Sequence, residues 1–269
     1  MNWKRIKTFL IVLFLIINIY LLSTTSGSVI FRVPTVSKIE KETVQKTIDV
    51  ISNNYGVNLN KNIVPLKFTN LVNIDVTNFI FTDVFQNSGF EFVQNSSDFE
   101  CVIKTQTYSY TEDNAKEEIT HILSKVGIDP SSYKINFKKS DHGLVCTVSE
   151  YVSGYPVFDG RIYAEFTSST IKLRGNWYFT EQTEVKRYGN SDRLADITSV
   201  LIDCVSSISV NREGSYTIKD IGYGYIVEYY GDKVITKSAS AIPCYMIETD
   251  FGGRYFYDAY NGNFIKQEE

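Results

Sequence analysis

Histidine is almost missing from this 269-residue chain, which has two, His121 and His142. Imidazole is the commonest acid–base group of catalysis near neutral pH, so its scarcity narrows the chemistry on offer. His121 falls mid-way along a helical stretch between Ile119 and Ile122, where packing or surface exposure accounts for it. His142 lies in the turn Lys-Ser-Asp-His-Gly-Leu. Cys146 follows four residues later in a strand, about 13 Å on, which makes no nucleophile–base pair. Gly-x-Ser-x-Gly, His-Glu-x-x-His and a phosphate-cradling glycine loop are all absent. The four cysteines, at 101, 146, 204 and 244, each sit inside an apolar run and none has zinc-knuckle spacing. They read as small core residues rather than a disulfide framework. Methionine and tryptophan number two each against 19 tyrosines and 17 phenylalanines, a balance that favours strands. Basic residues are also in deficit. Without Lys4, Arg5 and Lys7 the chain holds 24 basic against 31 acidic residues, or −7, which makes it a poor partner for nucleic acid or anionic lipid.

What the N-terminus does have is an oily run. Phe9 to Leu22 contains one strongly polar side chain, Asn18, and would make about 21 Å of helix. That is short for a bilayer core of roughly 30 Å and suits a signal peptide. Yet no charge appears from Thr8 to Phe31, a stretch long enough to span. No Ala-x-Ala cleavage site follows, and no cysteine for lipoprotein processing. Anchor and cleaved signal both remain open on the residues. In either case the preceding cations keep the N-terminus inside and send the rest outside. If the segment is retained, Asn18 seeks a partner within hydrocarbon, and Ile11, Phe14, Asn18, Leu21 and Leu22 share the face that would meet another helix.

The remaining chain, roughly 235 residues, has room for one large or two modest domains. The spacing predicts a helix over 37–56, capped by Ser37 and Glu40, with the stripe Val44, Ile48, Ile51 and Tyr55 and a stop at Gly56. Extended segments follow, including a hairpin over 90–105. A second helix is predicted over 114–127, with Ala115, Ile119, Ile122 and Val126 inward, then four strands. In the third of these, Ile162, Ala164 and Phe166 alternate with Arg161, Tyr163 and Glu165. A third helix over 192–208, lined by Leu194, Ile197, Leu201, Cys204 or Val205 and Ile208, precedes the last strands. A helix followed by an antiparallel run thus recurs. The expected fold class is α+β: a single N-terminal transmembrane helix (1–31), then a lobe (32–110) and tandem modules (111–186 and 187–269), each a helix packed on its own antiparallel sheet.

Few polar residues stand out within the strands. Asp159, in Pro-Val-Phe-Asp-Gly-Arg-Ile, is unusual because acids are depleted in strands. It marks a bulge or a bend, or a catalytic acid. Tyr223, Tyr225, Tyr229 and Tyr230 offer either a binding platform or a tyrosine-covered sheet face. A hydrolase site assembled from Asp159, His142 or a cysteine is one reading; a binding module without chemistry is another.

Three segments carry a family resemblance. The leader Met-Asn-Trp-Lys-Arg-Ile-Lys with its single oily run resembles the start of the YycI (WalI) family, regulatory proteins that accompany the WalK–WalR two-component system. Tyr151, Gly154, Pro156, Val157, Phe158 and Asp159 resemble that family's Tyr…Gly-x-Pro-(Ile/Val)-Phe-Asp segment. Residues 241–265 resemble its C-terminal strands, and Asp258, Ala259 and Gly262 match the Asp-Ala-x-x-Gly ending of PepSY-type domains. Residues 32–110 match less closely. The resemblance implies an uncleaved signal anchor, α+β modules like those of the sister protein YycH, and localisation at the cell membrane with the C-terminal body outside. Its implied activity is control of the sensor kinase WalK, with a YycH-type protein in the complex. It implies no catalytic residue, no cofactor and no metal.

Overall fold

Hairpin pairings between consecutive strands make up most of the sheet, and a few long-range pairings join them into one network. The computed structural model describes residues 36–69, 71, 73–78, 91–95, 98–105, 109–140, 143–181, 194–212, 214–227 and 239–268. In chain order the elements are β1 (Val36–Lys38), α1 (Lys41–Tyr55), β2 (Asn58–Leu59), β3 (Lys67–Thr69), β4 (Ile74–Asn78), β5 (Glu91–Asn95), β6 (Asp98–Lys104), α2 (Glu112–Lys125), β7 (Tyr133–Ser140), β8 (Gly143–Val152), β9 (Tyr155–Phe166), β10 (Thr170–Gly175), β11 (Tyr178–Glu181), α3 (Ile197–Asn211), β12 (Thr217–Val227), β13 (Ala239–Thr249), β14 (Arg254–Asp258) and β15 (Phe264–Glu268).

Each helix forms where its apolar stripe lies, but all three starts differ from the sequence pattern. Helix α1 begins at Lys41, not Ser37; Glu40 is the N-cap and makes no side-chain cap. The backbone just before it is taken up elsewhere, since Ile39 N–H donates to Leu66 O at 3.0 Å. Helix α2 starts one turn early. Thr111 is the N-cap and forms a capping box with Asn114. The two satisfy each other's free amides, at 3.4 and 2.7 Å. Helix α3 begins at Ile197, not at 192, so Leu194 precedes it; the cap is Asp196, whose Oδ1 accepts Thr198 N–H at 3.0 Å. The expected stripes are inward: Val44, Ile51, Ala115, Ile119, Ile122, Val126, Ile197, Leu201, Cys204, Val205 and Ile208 are all buried. A fully buried isoleucine stabilises the fold by about 1.5–3 kcal/mol, so these stripes set which face of each helix packs.

Thirteen of the described strands form one hydrogen-bonded network, with the path β11-β4-β13-β12-β9-β10-β6-β5. Pairing is mostly antiparallel. β12 runs parallel to β2, and it meets β9 in parallel at the single pair Tyr225↔Val157. β9 is the seam: it pairs along its length with β8 and, through its second half, with β10. Helix α2 covers the inner face of β6, β8, β9 and β10 in one apolar core. Helices α1 and α3 touch each other and share a second core with β12, β13 and β14. Opposite that core, Phe158, Ile226, Ile242, Cys244, Met246 and Phe256 pack on the other face of the same strands. β13 is therefore buried on both faces, the reason its residues read as an almost unbroken apolar run rather than an alternation.

These pairings correct the expected fold class. Tandem modules, each a helix on its own antiparallel sheet, are not what the chain forms. Ser37–Glu269 is one compact unit built on a mixed network. The strands of residues 58–104 are distributed through it: β4 lies between β13 and β11, and β6 pairs with β10. The physical cause is edge pairing. A strand's free edge accepts any complementary strand the chain can bring to it, whatever the distance in sequence. Nor does the structure supply the transmembrane helix of that expectation. The leader lies outside the described residues, and among these no helix is long and apolar enough to cross a membrane.

Candidate functional site

The unusual strand acid leads to a network of buried and half-buried charges. Asp159 ends the stretch of β9 that runs beside β12, and its side chain is 5% exposed. Two residues beyond the pair Tyr225↔Val157, Val227 N–H donates to Asp159 Oδ2 at 2.8 Å. The carboxylate thus stands in for a ladder carbonyl where the two strands part. The other oxygen, Oδ1, accepts from Lys266 Nζ at 2.5 Å. Lys266 also pairs with Glu268 Oε1 at 2.7 Å, and Arg254 Nη2 reaches Glu268 Oε2 at 2.5 Å. Register explains the chain of alternating charge. Arg254 pairs with Glu268 and Phe256 with Lys266 across β14 and β15, and residues two apart in a strand share a face. The ammonium of Lys266 lies 5.5 Å from the Phe256 ring centroid.

Burial pushes the Asp159 carboxyl up, while Lys266 and Val227 N–H pull it back toward the ionised form. Burial works against the Lys266 charge, but Asp159 and Glu268 outweigh it and hold the ammonium above its ordinary value. Lys266 Nζ and Asp159 Oδ1 stand at ion-pair distance.

Two glycines let this region close. A Cβ on Gly224 would stand 2.3 Å from Pro156 O, so only glycine admits β9 against β12 there. A Cβ on Gly160 would stand 2.1 Å from Glu150 Oε2. Glu150 lies at the irregularity in the β8–β9 register and turns inward, 3% exposed. Its Oε2 accepts Tyr178 N–H at 3.1 Å, so it ties β8 to the start of β11. Burial pushes this carboxyl up to about 8, against a smaller pull from the Tyr178 N–H.

Beside the Asp159 network opens a cavity of about 500 Å³, walled by β5, β6, β9, β10, β14 and β15. Arg161, Arg174 and Arg254 line it, together with Asp98, Glu100, Asp159 and Glu268. Two of its residues keep a buried polar atom without a hydrogen bond, Asn176 Oδ1 and Arg254 Nη1. Each such unmade bond costs about 1–3 kcal/mol. A smaller cavity of about 280 Å³ lies between α1, β3, β13 and the segment before α3.

The other sequence candidates do not converge here. Tyr223 and Tyr225 form no platform. Tyr223 packs against Phe68, Tyr155 and Tyr245, with ring centroids 5.2–5.8 Å apart, and its hydroxyl donates to Thr69 O at 2.9 Å. Tyr225 is 3% exposed. His121 is exposed on α2. The four cysteines are buried and unpaired. Burial pushes the thiols of Cys101, Cys146 and Cys204 up to about 12, and raises Cys244 as well, so they are poor nucleophiles. No group of three or more metal-type ligands occurs among the described residues. His142, Tyr229 and Tyr230 lie outside the described residues, as do all of the proposed membrane-face residues, Ile11, Phe14, Asn18, Leu21 and Leu22. Sequence reasoning flagged Asp159 but missed Lys266, Glu268, Arg254 and Glu150. For Glu150 the available signal was an acid followed by glycine ten residues on, across a tight hairpin.

No family model matches the chain, and no curated protein does. Among solved structures it is similar to an uncharacterized protein from Eubacterium rectale ATCC 33656, with 9% identity and a TM-score of 0.46. That similarity covers 73% of this chain and 86% of the other.

Proposed function

We propose that this chain is a regulatory protein without catalytic activity of its own. It acts outside the cell membrane, held there by its hydrophobic leader, and biases a sensor histidine kinase of the WalK type in company with a YycH-type protein. The observation that carries the reading is the ordered set of family-like segments in the sequence: the leader, the stretch from Tyr151 to Asp159, and Asp258-Ala259 with Gly262. The parts these residues play are consistent with a binding body. Asp159 stitches strands together, and Asp258 organises the β14–β15 turn by accepting from Tyr260 N–H at 2.7 Å and from Asn261 Nδ2 at 2.7 Å. Regulation then follows from differential affinity. A protein that binds one signalling state of the kinase better than the other shifts the balance only by that difference.

The test is a membrane pull-down. The full-length protein should bring the kinase with it, and replacing Phe14 and Asn18 should weaken the association. Undiminished association of a version lacking residues 1–31 would remove the leader from the mechanism. A second reading, an exported binding or inhibitor module with no kinase contact, is favoured by the cavity beside Asp159. A mature N-terminus near Val29 would select it.

A further inference from the structure

We propose that the cavity beside Asp159 binds a small organic anion, a carboxylate or phosphate group carried on a short apolar body. The charge on its walls is uneven once pairing is counted. Asp159 is taken by Lys266, Glu268 by Arg254 and Lys266, and Glu100 by Lys172 at 2.7 Å. Arg161 and Arg174 have no ion-pair partner among the described residues, and of the lining acids only Asp98 is likewise unpaired. Two guanidinium groups therefore stand against one carboxylate, a locally positive hollow in a body whose net charge is −7. Arginine is suited to planar or tetrahedral oxyanions because its donors form a rigid fork.

The groups stand on paired strands. Arg174 lies across from Tyr163, and Arg161 is two residues before Tyr163 on β9. Asn176 N–H donates to Arg161 O at 2.8 Å, pinning the strand end beside the cavity. The hollow is also partly apolar. Val93 and Tyr163, 58% and 36% exposed, are two of the five large apolar side chains exposed among the described residues, and both line it. Phe99 and Phe158 add buried rings to the wall. A ligand with an anionic head and a short hydrocarbon part matches that mixture. Arg254 Nη1, a buried donor without a partner, would gain one from a bound anionic head group. None of this depends on a kinase partner.

The experiment is calorimetric titration of the full chain in lipid nanodiscs with butyrate, butyl phosphate and, as the oppositely charged control, butylammonium. Saturable binding of one or both anions is expected, and the tighter of the two names the head group. The Arg161→Gln/Arg174→Gln double variant should bind at least tenfold more weakly. Asp98→Asn, which removes the one unpaired acid, should bind about two- to threefold more tightly, a gain that misfolding cannot produce. Affinity should fall as salt is raised. Failure of both anions to bind, equal binding of butylammonium, or an unchanged double variant would each overturn the proposal.

Discussion

Glu150 makes the protein's stability depend on pH, and by a calculable amount. In the native state its carboxyl is pushed from an ordinary 4.5 to about 8 by burial. In the unfolded chain it returns to the ordinary value. Between those two values the native state therefore holds a proton that the unfolded state has released. The stability from this group is fully present below about 4.5, is lost as pH rises, and is gone above about 8. Each pH unit across that window is worth about 1.4 kcal/mol, so the full swing is on the order of 5 kcal/mol. Glu150→Gln keeps the oxygen that accepts Tyr178 N–H and cannot ionise. Wild type and variant should therefore be alike near pH 4.5, with the variant more stable by on the order of 5 kcal/mol at pH 8.5, or roughly 10–20 °C in melting temperature. Urea unfolding followed by tryptophan fluorescence at several pH values is a direct assay, because Trp177 is 2% exposed and adjoins Tyr178. A stability difference between the two proteins that does not change with pH would refute the reasoning.

Asp159→Asn should cost about 3 kcal/mol in the same unfolding assay, because the half-buried Lys266 ammonium loses its closest partner while Val227 N–H keeps an acceptor. A loss under about 0.5 kcal/mol would mean that Glu268 alone satisfies the lysine. The thiols should be inert to a thiol reagent in the native chain near neutral pH and should all react once it is unfolded. A fast-reacting equivalent in the native protein would contradict their burial.

Much of the local structure was legible along the chain. The stripes of all three helices were, because a helix that must bury one face repeats its apolar residues every three or four positions. The alternation from Arg161 to Phe166 was legible for the same kind of reason. Helix starts were less so: Thr111 and Asn114 form a capping box one turn before the one suggested by Asn114 and Glu117, since several polar residues in a row can each serve as a cap. Asp159 announced itself as an acid where acids are rare, but its partner Lys266 stands 107 residues away. No local pattern points across that distance.

By itself, then, the sequence determined which segments become helix or strand, which face of each turns inward, and that the cysteines are core residues. These are short-range consequences of hydrophobic spacing and backbone chemistry. Only the tertiary structure decided that β4 joins β13 and β6 joins β10, that α1 lies against α3, and that Arg161, Arg174 and Arg254 surround one hollow. Those outcomes depend on which strand edges find each other. Backbone hydrogen bonds are the same for every residue, so the choice of neighbour follows from packing of the whole and is written in no single stretch of chain.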